Sequence, residues 1–292
     1  MAGYLFSHFT GEQKDGEQIY FSVSRDGLHW HDVKNGEMIL KSELGTKGVR
    51  DPFLVRNPVT QVTYLIATDL RIEAGKGWEA AQFAGSRDFI VWESRDLISW
   101  SEPRACTVGI PQAGCVWAPE AIYHKEKEAF FVFFASMVDK KQKIYACYTK
   151  DFKEYTTPFC YMERDNHVID TTIVEENGWF YRISKDETTK KLILERSRQL
   201  EDGFTRIYSE TLDNLYGVEG PECYLLPDGK TWCLIADRFA EGKGYLPLLT
   251  NDLGSGSFEI LKDEQYDFGK NKKRHGGVLP ITEEEYQRLL QE

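Results

Sequence analysis

The 292 residues carry 36 basic against 47 acidic side chains, a formal charge of −11, which argues against a nucleic-acid or anionic-membrane surface and leaves uncharged ligands as the better fit. No stretch approaches a membrane span, and Met1-Ala2-Gly3-Tyr4 leads straight into strand-like text without the basic and apolar segments of a signal peptide, so the expectation is a cytoplasmic protein. The six cysteines (106, 115, 147, 160, 223, 233) form no Cys-x-x-Cys pair and read as small buried hydrophobes.

In chain order, Gly3 to Thr10 is the first of five runs rich in aromatic and β-branched residues. Thr63 to Leu70, Ala129 to Met137, Trp179 to Asp186 and Trp232 to Phe239 are the others. Their length and their bounding turns predict strands. A polar phrase follows each run: Ser24-Arg25-Asp26-Gly27-Leu28-His29-Trp30, Ser94 to Trp100, Thr149 to Tyr155, Ser197 to Leu200 and Thr250 to Leu253. The phrases recur roughly every 50 to 70 residues, which describes one antiparallel unit copied five times.

Upstream of four runs lies a shorter segment with an acidic residue: Asp51 in GVRDPF, Glu120 in VWAPEAI, Asp170 in VIDTTIV and Glu219 in VEGPECYLL. The run at Gly3 has no such segment before it, while RHGGVLPI, with His275, has no run after it. The two incomplete units complete each other, and joining them closes a ring without exposed sheet edges. The prediction is an all-β, five-bladed β-propeller over residues 1–292, a single domain whose last blade is built from both termini. The tail from Glu283 to Glu292 reads as one helix.

The innermost strand of each propeller blade lines a central channel, so the first segment of each unit delivers its residues where five blades converge. Asp51, Asp170 and Glu219 stand there in apolar text, at places read as equivalent in successive units. Convergent carboxylates in a pocket for a neutral ligand suggest glycoside hydrolysis. One must be neutral to protonate the departing sugar oxygen and another ionised to activate water. A third nearby would raise the pKa of the acid by like-charge repulsion.

The ordered set Asp51-Pro52 in blade 1, Trp117-Ala118-Pro119-Glu120 in blade 2, Ile169-Asp170 in blade 3, Glu219-Gly220-Pro221 in blade 4 and Arg274-His275-Gly276 in blade 5 resembles glycoside hydrolase family 43 along essentially the whole chain. The resemblance implies a five-bladed propeller and an inverting enzyme acting on arabinose- and xylose-containing glycans. It implies Asp51 as general base, Asp170 as the residue that tunes the acid and orients substrate, and Glu219 as general acid. It further implies that His275 helps hold a calcium ion in the channel, largely through water; no organic cofactor is expected. Pro221-Glu222-Cys223 and Arg50-Asp51-Pro52 are similar to motifs of fructan-cleaving propellers, but the Asn-Asp-Pro of that group is missing. Glu222 lies three residues from Glu219, so the two side chains point to opposite strand faces unless Gly220-Pro221 bends the chain. Glu219 is therefore preferred for the pocket.

Four further positions have two readings each. Trp117 and Glu120 either touch substrate or serve as a packing Trp and an ion-paired Glu. Arg238 either clamps a sugar hydroxyl through its planar fork or forms a structural salt bridge. Trp78, in the loop from Gly75, either overhangs the pocket as a stacking platform or packs on its own blade. The expected function is an exo-acting α-L-arabinofuranosidase on arabinoxylan or arabinan oligosaccharides. A β-xylosidase and a non-catalytic carbohydrate-binding propeller are the alternatives.

Overall fold

Short apolar strands bury both faces only when sheets stack on sheets, and this chain arranges five sheets of four antiparallel strands around an axis. The computed structural model describes residues 2–292. It opens with β1 (Gly3–Phe9), β2 (Tyr20–Ser24) and β3 (Trp30–Asp32). Blade 1 is β4 (Val49–Arg56), β5 (Thr63–Asp69), β6 (Asp88–Ser94) and β7 (Arg104–Thr107), with helix α1 (Gly77–Phe83) between β5 and β6. Blade 2 is β8 (Trp117–His124), β9 (Ala129–Val138), β10 (Lys141–Thr149) and β11 (Phe159–Met162). Blade 3 is β12 (Val168–Glu176), β13 (Trp179–Asp186), β14 (Lys191–Ser197) and β15 (Thr205–Ile207), followed by α2 (Glu210–Asn214). Blade 4 is β16 (Glu219–Leu225), β17 (Trp232–Asp237), β18 (Tyr245–Thr250) and β19 (Glu259–Ile260). The final strand β20 (Arg274–Ile281) pairs with β1, so the sheet β20-β1-β2-β3 is blade 5 and closes the ring, and α3 (Glu283–Leu289) caps it.

Each apolar run is the second strand of its blade, as the sequence predicts. The polar phrase lies after the third strand, where it turns the chain to the outermost one. Asp26 Oδ1 accepts from the Leu28 and His29 N–H groups, and Asp96 Oδ1 from those of Ile98 and Ser99. Such turns repeat because a carboxylate or hydroxyl can bond backbone two or three residues on.

The core is divided among the blade interfaces. Leu5, Phe21, Leu65 and Trp92 fill the seam between blades 5 and 1, Phe89 and Phe134 that between 1 and 2, and Phe133 and Ile169 that between 2 and 3. Leu194 with Leu234 and Tyr4 with Tyr224 do the same for the remaining two. Burial of apolar area at every seam, at about 25 cal/mol per Å2, holds a ring too large for one central core. Five cysteines are buried within this packing; Cys160 is exposed, contrary to the expectation for all six.

Each inner strand breaks its register with its neighbour near its start: between Arg50 and Phe53, Trp117 and Glu120, Ile169 and Thr171, Glu219 and Glu222, and opposite His8 in β20. These are β-bulges, which bend a strand and re-aim a side chain. Asp51, Ala118, Asp170 and Gly220 occupy them with φ of 50°, 46°, 45° and 50°, and Gly276 sits in the fifth. Proline follows three of them (Pro52, Pro119, Pro221), because a bulge leaves no ladder hydrogen bond for its missing N–H.

Two residues beyond the bulge, the inner strands bring Glu120, Thr172, Glu222 and Val278 together, the first three buried polar. Glu222 Oε1 accepts from the Val278 N–H at 2.9 Å, and its Oε2 lies 3.5 Å from Thr172 Oγ1. Burial pushes the Glu222 carboxyl up to about 8, and burial together with Glu222 raises Glu120 well above the ordinary range. A carboxyl raised on folding contributes stability below its unfolded value that is lost as pH climbs through its folded one. Glu222→Gln keeps the acceptor for Val278 but cannot ionise. Its stability relative to the unsubstituted protein should therefore rise between about pH 5 and about pH 8, measured by urea unfolding at several pH values. Parallel curves would refute a neutral Glu222.

Candidate active site

Every blade contributes at least one polar or aromatic residue from the start of its inner strand to a single cleft of about 470 Å3. Among them are Asp51, Trp117, Asp170, Glu219 and His275, in blades 1 to 5. Left-handed backbone at a non-glycine residue costs on the order of 1–3 kcal/mol and persists only where the surroundings over-determine it. Asp tolerates it better than most, since its short side chain bonds locally. Asp51 Oδ2 accepts from Thr68 Oγ1 at 2.9 Å, and that oxygen accepts in turn from the Ala118 N–H at 2.8 Å. Asp170 Oδ2 accepts from the Gly220 N–H at 3.1 Å. Each aspartate is thus braced against the bulge of the next blade.

Blade 4 departs from the pattern. The place equivalent to Asp51 and Asp170 is Gly220, where a Cβ would lie 2.7 Å from His275 Cγ. With the imidazole packed there, the blade supplies its carboxylate from Glu219, one residue earlier. The three acids therefore do not occupy equivalent places, contrary to the sequence expectation. The chain bends at Gly220-Pro221, yet Glu222 stays in the buried layer and only Glu219 lines the cleft.

Electrostatics separate the acids in a direction the sequence did not predict. Burial, joined by Glu219 and Asp51, pushes the Asp170 carboxyl above its ordinary value against the pull of His275 and Lys185. Burial acts on Glu219 too, but Lys185 and Arg274 overcome it and hold this carboxyl below its ordinary value. Lys185 Nζ donates to Glu219 Oε2 at 2.7 Å and lies 2.6 Å from Glu187 Oε2. Arg274 donates to Glu219 Oε1 at 2.8 Å and to Asp237 Oδ2 at 2.5 Å. In the free protein two cations outweigh the cost of burial, which favours the anion of Glu219.

His275 Nδ1 lies 3.6 Å from Asp51 Oδ1 and 3.8 Å from Asp170 Oδ1. Calcium takes six to eight oxygen ligands. Among the described residues no group of three or more His, Cys, Asp or Glu side chains is arranged to hold a metal ion. The imidazole sits between two carboxylates without hydrogen-bonding either, and these side chains do not by themselves form a calcium cage; the ion that the resemblance implies is held largely through water and needs none.

The remaining sequence candidates divide. Trp78 lies on α1, not in a loop, and is 50% exposed at the cleft, edge-on to Trp117 with ring centroids 6.1 Å apart. Glu120 is buried in the layer beyond the bulge and does not line the cleft. Arg238 is turned away from it: its guanidinium donates to the carbonyls of Gly244 and Tyr245 and to Tyr266 Oη, all at 3.3 Å. The next residue, Phe239, faces the cleft instead. Sequence reasoning missed Lys185, Arg274, Arg50 and Phe239. The first three had a signal, a charge within or at the end of an otherwise apolar strand; Phe239 sits in a turn and had none.

Residues 1–287 match the family described as "Probable glycosyl hydrolase domain", related to glycoside hydrolase family 43. An α-L-arabinofuranosidase of Bifidobacterium longum subsp. longum is 28% identical over 93% of this chain, which spans 30% of that relative's length. A family-43 β-1,3-galactosidase solved with galactodeoxynojirimycin is similar at a TM-score of 0.63 and 12% identity, covering 93% of this chain and 91% of that one. An endo-1,4-β-xylanase of Bacteroides thetaiotaomicron is similar at 0.62 and 13%, covering 89% and 90%. These two likenesses are of fold. The match across nearly the whole length, on a five-bladed ring with its carboxylates in one cleft, means that the chain belongs to the family of glycosyl hydrolase domains related to glycoside hydrolase family 43.

Proposed function

We propose that this chain is an inverting exo-glycosidase that releases terminal α-L-arabinofuranosyl residues from oligosaccharides of the arabinoxylan or arabinan type. The observation that carries the reading is the placement of Asp51 and Glu219 on non-adjacent blades, 1 and 4, in one cleft with Asp170 and an aromatic wall. The arabinofuranosidase relative supports the choice of sugar.

In this reading Asp51 takes a proton from water as the water oxygen bonds to the anomeric carbon. The bond to the leaving oxygen breaks as Glu219 gives that oxygen a proton. Asp170, braced by the Gly220 N–H, orients the sugar. Glu219 must carry a proton to act, yet Lys185 and Arg274 favour its anion. Arrival of the leaving group therefore has to loosen one of these ion pairs. Each cation has a second carboxylate to retain it, Glu187 for Lys185 and Asp237 for Arg274.

Nitrophenyl α-L-arabinofuranoside should be turned over and the β-xyloside should not. Asp51→Ala, Asp170→Ala and Glu219→Ala should each remain folded and lose about 100-fold or more in activity. Proton NMR should show the β-anomer released first. Turnover of the xyloside alone would transfer the reading to a β-xylosidase. Binding without turnover would make the chain a carbohydrate-binding propeller, and retention would remove Asp51 from the base role.

Lys185→Met takes away the first cation opposing proton uptake by Glu219. The alkaline limb of the kcat/KM profile should then move to higher pH, since the general acid stays protonated further. An unmoved limb would assign the acid elsewhere.

In this proposal His275 holds its place between Asp51 and Asp170 without a metal ion. Dialysis against EDTA should leave the melting temperature and activity as they were. A fall in both, reversed by calcium, would restore the ion that the family resemblance implies.

A further inference from the structure

Two connections of the same kind reach the cleft from different blades. In blade 1 the segment between β5 and β6 carries α1 and Trp78; in blade 4 the segment between β17 and β18 carries Phe239. Trp78 lies against Trp117 and 5.0 Å from the guanidinium of Arg50, the neighbour of Asp51. The Phe239 ring lies 4.3 Å from Lys185 Nζ, the ammonium bound to Glu219. Its position is fixed by a tight turn in which the Phe239 N–H donates to the Asp237 carbonyl at 2.8 Å, and Asp237 pairs with Glu219 across the sheet. One aromatic thus belongs to the blade of the proposed base and the other to the blade of the proposed acid.

An inverting displacement has a direction. Water enters from the side of the base, and the leaving oxygen departs on the side of the acid. Whatever is attached to that oxygen meets the surface next to Glu219. We infer that Phe239 is the wall of the leaving-group subsite, receiving the apolar face of an uncharged sugar ring, while Trp78 and Trp117 meet the arabinosyl ring. The leaving sugar is uncharged because the cations on that side are already paired, Lys185 with Glu187 and Glu219, Arg274 with Asp237 and Glu219. Neither is free to receive a uronate. Arg238, committed to the carbonyls of its own loop, does not reach across.

This inference rests on the proposed exo-arabinofuranosidase and is tested with two substrates. α-L-Arabinofuranosyl fluoride has no ring in its leaving group; an arabinofuranosyl-substituted xylo-oligosaccharide has one. In Phe239→Ala the ratio of kcat/KM for the oligosaccharide to that for the fluoride should fall about tenfold, the upper end of what one aromatic contact supplies. Trp78→Ala should lower both values together and hold the ratio. Phe239→Leu, which keeps apolar volume beside Lys185, replaces the alanine variant if that one melts early, with the same direction expected. A ratio within about twofold of the unsubstituted protein, or an equal loss on both substrates, would overturn the inference while leaving the proposed function standing. An unsubstituted protein that hydrolyses neither substrate would remove the proposed function and the inference with it.

Discussion

A strand lining an axis turns alternate side chains towards it, and five such strands crowd that axis at every second residue. The β-bulge near the start of each inner strand relieves the crowding, and the site depends on it. At the bulge one residue leaves the alternation, and in blades 1 to 4 its backbone becomes left-handed. The bulges are also tied to one another. Asp51 reaches the Ala118 N–H through Thr68, and Asp170 takes the Gly220 N–H directly. Tyr245 Oη donates to the Gly220 carbonyl and accepts from the Gly276 N–H, both at 3.0 Å. Ser7 Oγ lies 3.2 Å from the Pro52 carbonyl and 3.3 Å from that of Gly277. A belt of hydrogen bonds thus holds the strained backbone in place, and the groups that would otherwise be buried unpaired are satisfied.

Above this belt the chain keeps its charges in pairs; just below it, it keeps them neutral. Arg50 bonds Glu12 and Glu17, Lys185 bonds Glu219 and contacts Glu187, and Arg274 bonds Glu219 and Asp237. Breaking a buried pair leaves an uncompensated charge and is costly, so these partners hold each other in a narrow range of positions. That suits a site whose reacting groups must be pre-positioned. In the layer beyond the bulges Glu120 and Glu222 have no such cation, and the proton takes its place.

The repeat and its closure were legible in the sequence because each depends on local signals. An apolar run of strand length, a polar phrase opening on Ser or Thr and a shorter inner segment recur with a fixed order, and the missing half at one terminus is supplied at the other. Asp51 and Asp170 were legible for a local reason too, a carboxylate in apolar text at the start of an inner segment, though the bulge beneath each was not. Trp78 could be placed off the strand pattern, though the short helix that carries it could not be seen, since Gly75 and Gly77 on either side of Lys76 read as a loop.

What the sequence by itself determined was the number of blades, the inner strand of each, and that Asp51, Asp170, Glu219 and His275 stand near the starts of those strands. Only the tertiary structure decided how those residues are charged and which neighbours share the cleft. Glu219 reads as an acid among acids until Lys185 of β13 and Arg274 of β20 arrive from two other blades, 34 and 55 residues away in the chain. Arg238 reads as a clamp or a salt bridge and Phe239 as the end of a strand run until the β17–β18 connection turns one outward and the other in. The physical reason is range: periodicity and turn chemistry act over a few residues, whereas an ion pair, a pKa and the wall of a cleft are set by whatever the closing ring brings within a few ångströms.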